Sequence, residues 1–166
     1  MSNTNIFKQF NGSIANLVNI PAVSGVLALV ARVFASAIFI TAGYGKLGAG
    51  YAGTQAYMAA MGVPSAMLPL VIALELGGGI ALLLGFQTRL VALLLAGFSI
   101  IAALIFHTGA DQMQQIMLMK NFAMAGGLLA FTVFGAGRLS LDGETRTQSP
   151  QNQASYPYPI EQTVTR

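Results

Sequence analysis

Four apolar stretches of membrane-spanning length restrict the folds that this sequence can adopt. They cover residues 22–44, 66–86, 90–106 and 116–137. A helix needs about 20 predominantly apolar residues to cross a hydrocarbon core of about 30 Å. Because 55% of the residues are hydrophobic and only 8% are charged, the chain lacks the polar groups to cover a water-facing surface. The sequence therefore predicts an all-α membrane protein with four transmembrane helices.

The connections between the stretches predict how these helices are arranged. The link between the second and third stretches is so short that the two helices must be antiparallel neighbours, with Thr88 as the expected N-cap of the later one. Gly77, Ala81 and Gly85 form a stripe of small residues, which is typical of closely packed membrane helices. We therefore expect an antiparallel up-down bundle over residues 22–142.

Two flanking segments differ from this bundle in composition. Apolar residues recur at helical spacing within residues 1–21, which predicts an amphipathic helix at the membrane surface; packing beneath the bundle is the alternative. Residues 143–166 are rich in polar residues and proline and are expected to be a disordered tail. If both termini are cytoplasmic, most basic residues outside the spans lie on that side, as the positive-inside rule requires. These residues are Lys8, Arg89, Arg138, Arg146 and Arg166, against Lys46 and Lys120 on the far side.

Composition also excludes several kinds of chemistry. Without cysteine there is no disulfide, thiol nucleophile or iron–sulfur cluster, and one histidine cannot supply paired haem ligands within a chain. We therefore expect no covalently bound cofactor and no metal site. The eight basic residues are scattered, which argues against nucleic acid as a partner.

Two charged residues, Arg32 and Glu75, lie near the middle of the first and second stretches. Burying one such charge at a bilayer centre costs about 2.5–3.5 kcal/mol on the insertion scale, so a pair at matching depth is the first hypothesis. Lys46, His107, Lys120 and Asn121 are expected at the outer ends of three helices, where they would ring a pocket above this pair. Structural roles remain open for each of them, such as lysines that reach the headgroups or a pair that only sets helix packing.

Several short motifs resemble those of the DoxX family over about residues 25–142. They are Tyr44-Gly45-Lys46-Leu47, Met61-Gly62-Val63-Pro64, Glu75 followed by glycines, Gly85-Phe86-Gln87-Thr88-Arg89, His107, Lys120-Asn121 and Ser140-Leu141-Asp142. The resemblance implies a bacterial inner-membrane protein of four helices. The family is named for a small subunit associated with quinol oxidation, and its relatives include thiosulfate:quinone oxidoreductase subunits. Arg32, Lys46, Glu75, His107, Lys120 and Asn121 match the family's polar signature and are the candidate ligand-binding residues.

These observations lead to one main functional hypothesis and two alternatives. The main one is an accessory subunit of a redox system, not catalytic alone, that holds a quinone or similar small molecule in the outer half of the bundle. Its partners would be the lipid bilayer and a redox enzyme, and it would be free to oligomerise. The alternatives are a small-solute or proton transporter, and a structural module that recruits a soluble enzyme.

Overall fold

Each of the four apolar stretches forms one helix that is long and apolar enough to cross a membrane. The computed structural model describes residues 3–146, and the side chains of residues 6–143, as helices joined by short connections without a strand. The helices are α1 (Asn3–Val18), α2 (Pro21–Gly45), α3 (Gly50–Ala60), α4 (Ser65–Leu84), α5 (Thr88–Phe106) and α6 (Gln112–Phe134). The predicted all-α membrane fold is confirmed, with α2, α4, α5 and α6 as the spans.

The two flanking segments are described only in part. Helix α1 forms where the amphipathic helix was predicted, and its Phe7 and Phe10 are 75% and 69% exposed, so α1 is not packed beneath the bundle. Its position at the membrane surface stays a prediction. The predicted tail, 143–166, begins within a 3-10 helix, Leu141–Arg146, and from residue 147 onward it lies outside the described residues.

Close glycine contacts set the register between α2 and α4. A Cβ added at Gly43 would lie 2.7 Å from the Leu76 nitrogen, and one at Gly79 would lie 2.9 Å from Ile40 Cγ1. The helices are therefore antiparallel, with residue 43 level with 76 and residue 40 level with 79. Of the predicted stripe at Gly77, Ala81 and Gly85, Gly77 makes no close contact, because a Cβ there would meet nothing within 4 Å, whereas Gly85 packs closely against Arg32.

The other spans continue the up-down arrangement. Helices α4 and α5 form the predicted hairpin, in which Gly78 packs against Leu95. Arg89 at the start of α5 donates to carbonyls at the end of α6, so α5 and α6 are also antiparallel. The core between the spans contains Phe39, Leu82, Leu95, Ala96 and Leu128. We call the two ends of the bundle the α1 end and the α3 end, after the short helix found at each.

Helix α3 was not predicted. It packs where α2 and α4 are staggered, that is, where the first part of α4 extends beyond the end of α2. Its Met58 is buried against Leu68 and Ile72 in the first part of α4, and Tyr57 stacks on Phe106 at a centroid distance of 5.4 Å. This contact supports the part of α4 that extends beyond the end of α2. The stagger decides which polar residues meet.

Candidate functional site

Lys46 and Glu75 form a buried ion pair at the α3 end. Lys46 follows the last residue of α2, and its Nζ lies 2.6 Å from Oε2 of Glu75. The Glu75 side chain is 7% exposed and that of Lys46 is 23% exposed, so the ammonium keeps contact with the surroundings while the carboxylate does not. The same Nζ donates a hydrogen bond to the carbonyl of Ala42 at 3.2 Å. The pair therefore has a buried acceptor and a donor that is reachable from outside.

Glu75 lies in a π-helical turn, Ala73–Gly77, inside α4. Such turns are rare, and they occur frequently at functional sites because they interrupt the regular hydrogen-bond pattern. The apolar sequence of this span carries no obvious signal for the turn, and an uninterrupted α-helix was the expectation. Apart from the 3-10 turn at its start, α4 is irregular only at this π-helical turn, and the Glu75 carboxylate lies there.

Ser99 and Asn121 are buried at the same level as Glu75. Gly78 packs against Leu95, which places Glu75 level with about residue 98 of α5. Arg89 bonds to the carbonyls of Thr132 and Val133, which places Asn121 level with about residue 100. We call Lys46, Glu75, Ser99 and Asn121 the polar layer.

The two neutral members of this layer hydrogen-bond mainly within their own helices. Asn121 Nδ2 donates to Met117 O at 2.9 Å, and Ser99 Oγ donates to Leu95 O at 2.8 Å. Asn121 is 8% exposed and Ser99 only 1%. Asn121 was predicted from the sequence, whereas Ser99 was missed, because one serine in an apolar span is ordinary by itself.

His107 and Lys120 lie away from the polar layer. His107 follows the last residue of α5, where its Nδ1 is 2.9 Å from Gln114 Oε1. It is eight residues beyond Ser99, or about 12 Å further along the helix axis. Lys120 is exposed, and its Nζ contacts the Met117 sulfur at 3.1 Å. The structure thus pairs Lys46 with Glu75 and places Asn121 at a similar level on α6, whereas His107 lies further along and Lys120 is exposed.

The hypothesis that Arg32 and Glu75 form a pair at matching depth is wrong. The register of α2 and α4 places Arg32 level with about residue 87 and Glu75 level with about residue 44, so roughly 18 Å of helix separates them. The prediction counted depth from the start of each helix, which assumes that the helix ends are level. The stagger that α3 stabilises breaks that assumption.

Arg32 instead joins three segments at the α1 end, and it is only 1% exposed. Its guanidinium donates to the carbonyl of Leu83 at 2.9 Å and to that of Leu139. Gly85 makes room for it: with φ at +68°, a Cβ there would collide with the guanidinium and with Ser140. Arg32 therefore holds the end of α4 and the segment after α6 against α2.

Asp142 completes this contact and caps α5. Its carboxylate accepts hydrogen bonds from the backbone N–H groups of Gln87 at 2.9 Å and Thr88 at 2.7 Å. Thr88 is the first residue of α5, so the predicted local cap is replaced by a carboxylate from the far end of the chain. Burial raises the pKa of Asp142, but the hydrogen bonds from Thr88 and Gln87 and the charge of Arg32 outweigh it and hold that pKa below its usual range. We call Arg32, Gly85 and Asp142 the clamp.

Sequence comparisons agree with the four-span architecture. The DoxX family model matches residues 27–108. Inner membrane protein YqjF of Escherichia coli K12 is 53% identical over 115 residues, which are 69% of this chain and 88% of the relative. The chain belongs to the DoxX family. Inner membrane protein YphA of the same organism is 37% identical over 125 residues, 70% of this chain and 89% of the relative.

As a DoxX protein with four spanning helices, the chain is an integral inner-membrane protein. The family-model match ends before α6 and the clamp residue Asp142. The packing of this C-terminal part against the other helices is therefore known from the structure alone. No solved structure gives a significant match. Among the residues whose side chains are described, no group of three or more histidine, aspartate and glutamate residues is placed to hold a metal ion. The cytoplasmic location of the termini stays a prediction.

Proposed function

We propose that this DoxX protein is a membrane accessory subunit of a redox system and that its polar layer holds a quinone or a similar small acceptor. The observation that carries the proposal is the Lys46–Glu75 pair, buried in the α3 half of the bundle at an irregular turn. A quinone head group has two carbonyl oxygens that need hydrogen-bond donors, within a mainly apolar site. The polar layer offers such donors.

The donors, Lys46 and Asn121, suit the binding of the quinone oxygens, and the Glu75 carboxylate suits proton exchange with the bound quinone. The Lys46 ammonium has three hydrogens, of which two are directed at Glu75 and Ala42 O, and the third is available to a carbonyl oxygen. The Asn121 amide donates one hydrogen to Met117 O and has a second. Glu75 is the acid–base group of the layer, able to hold or release a proton beside the ligand. A bound quinone supplies a two-electron, two-proton couple, and the electrons come from the partner oxidoreductase.

Quinone binding by matched lysine variants tests this proposal. Lys46→Met should weaken binding of a short-chain quinone about ten-fold or more, because a hydrogen bond to a charged donor contributes about 1.5–3 kcal/mol. Lys120→Met is the control, since it removes an exposed lysine outside the polar layer. Binding is measured by equilibrium dialysis of the protein in nanodiscs, with helicity followed by circular dichroism. The double variant Lys46→Met/Glu75→Gln removes the lysine without leaving an unpaired carboxylate. If this double variant binds quinone as well as Lys120→Met does, the proposal is refuted.

The π-helical turn favours proton or small-solute transport as the second candidate. Ionisable residues within spans often mark proton or ion pathways, and Glu75 lies in the irregular turn of α4. In liposomes with an entrapped pH dye, Glu75→Gln should then abolish a proton leak that Lys120→Met leaves unchanged. If liposomes with the protein leak protons no faster than liposomes without protein, proton transport is excluded.

A further inference from the structure

A groove in the membrane-spanning part of the bundle adjoins a basic cleft at the α1 end. The groove lies between α2 and α6, encloses about 570 Å³, and is lined mainly by apolar side chains, among them Ala31, Ala35 and Phe131. The cleft encloses about 690 Å³ and is lined in part by Arg89 and Arg138. Phe134 and Gly135 line both, so the groove and the cleft adjoin at these two residues.

The length of the groove matches one leaflet of a bilayer. It follows α6 from Gly135 to Met124, a distance of eleven residues or about 16 Å. Half of a typical hydrocarbon core is about 15 Å thick. The groove therefore starts at the end of the spans, where lipid phosphates lie, and runs to about the middle of the membrane.

The cleft at its mouth carries positive charge. Arg89 Nη1 donates to the carbonyls of Thr132 at 3.0 Å and Val133 at 2.6 Å, which holds the guanidinium beside Gly135. Arg138 is exposed at the same end of the bundle. The carboxylate of Asp142 also lines the cleft, but it already accepts two backbone hydrogen bonds and faces the charge of Arg32. With two arginines and one carboxylate in its lining, the cleft carries a net positive charge that attracts an anion.

We propose that this surface binds one anionic phospholipid, with its phosphate at Arg89 and Arg138 and one acyl chain in the groove between α2 and α6. The charge of the mouth favours this occupant over a second copy of the chain, because two-fold pairing along the groove would bring two basic mouths together. An acyl chain also suits a groove that is lined mainly by apolar side chains. The phosphate end of this lipid site lies at the opposite end of the bundle from the Lys46–Glu75 pair, and the proposal does not depend on quinone binding.

Native mass spectrometry of the detergent-purified protein, titrated with phosphatidylglycerol or phosphatidylcholine, tests the proposal. We expect one phosphatidylglycerol per chain to be retained in preference to phosphatidylcholine. Arg138→Gln should weaken that retention about five-fold, since one basic residue near a membrane surface is worth about that factor for an anionic lipid. Lys120→Gln, which removes an exposed charge from the other part of the molecule, should leave it unchanged.

Two glycines of α6 provide a control for the acyl chain. A Cβ at either Gly126 or Gly127 would meet nothing within 4 Å, yet only Gly127 lines the groove. Gly127→Leu should therefore reduce phosphatidylglycerol retention, whereas Gly126→Leu should not. The proposal is overturned if the two lipids are retained equally. It is also overturned if Arg138→Gln and Lys120→Gln have equal effects, or if Gly127→Leu and Gly126→Leu do. A dimer that forms without lipid and that Gly127→Leu disrupts would overturn it as well.

Discussion

Replacing Asp142 with alanine should destabilise the protein by about 2–4 kcal/mol. The change removes the acceptor of two backbone N–H groups at the start of α5. Thr88 is fully buried, so its N–H loses a partner without gaining water, which costs about 1–3 kcal/mol. Gln87 is exposed and can be hydrated, so its loss is smaller, and the total includes the weakened interaction of Asp142 with Arg32.

Asp111 provides the matched control for this prediction. It also caps a helix, but it is exposed and accepts from a single N–H, that of Gln114 at 3.0 Å. Asp111→Ala should therefore cost about 1 kcal/mol, the usual value for one exposed cap. The free energy of unfolding is measured by titrating the micelle-bound protein with a denaturing detergent and following its helicity. If Asp142→Ala costs no more than Asp111→Ala, the clamp does not hold the bundle as we infer.

The pH dependence of stability gives an independent test of the same carboxylate. Because the pKa of Asp142 is held below its usual range in the folded protein, the carboxylate contributes its full stabilisation above the unfolded pKa of about 3.9. That contribution is lost as the pH falls through the lower folded pKa. The stability difference between the wild type and Asp142→Asn should thus be constant from pH 5 to 7 and shrink below about pH 4. A difference that persists in acid would mean that the charge of Asp142 is not what stabilises the clamp.

Two further predictions concern the contact between α2 and α4, and the same unfolding assay measures both. Lys46→Leu should cost about 3–5 kcal/mol, because it leaves the buried Glu75 carboxylate unpaired. Glu75→Leu should cost less, because the Lys46 ammonium keeps contact with the surroundings. The double variant should cost clearly less than the sum of the two, and additive costs would contradict the pairing. Gly43→Ala should cost about 1–3 kcal/mol, because its Cβ would lie 2.7 Å from the Leu76 nitrogen. Gly77→Ala should be neutral or stabilising, and equal effects of the two glycine variants would contradict the register.

Hydropathy predicted the spans well because burial in lipid requires long apolar helices whatever their packing. The predicted stretch 22–44 became α2, Pro21–Gly45, and 90–106 became α5, Thr88–Phe106. The fourth span began earlier than predicted, at Gln112, because Asp111 caps a polar first turn that hydropathy alone does not register. Helix α3 was missed because its eleven residues are too few to span a membrane, and its apolar side chains contact only one side of α4.

The candidate site was predicted less well, because it depends on relative helix positions that hydropathy does not encode. Glu75 was predicted to be buried and is, but its partner was assigned by counting depth, and Asn121 was expected at the outer end of its helix yet is buried. Lys46 was expected above a pair formed by Arg32 and Glu75, but it is itself the partner of Glu75. Asp142 was noticed only as part of a motif, since nothing local indicates that it caps a helix 54 residues earlier in the chain.

The two buried charges of the spans are accommodated in different ways, and this difference points to the polar layer as the functional part. Arg32 donates to backbone carbonyls that end helices or connect segments, so it directly stabilises the fold. The Lys46–Glu75 pair joins two helices that already pack closely through Gly43 and Gly79. A buried ion pair is often no more stabilising than apolar residues of similar volume. Packing alone therefore does not account for this pair, which supports our proposal that it holds a proton and a hydrogen-bond donor beside a bound molecule.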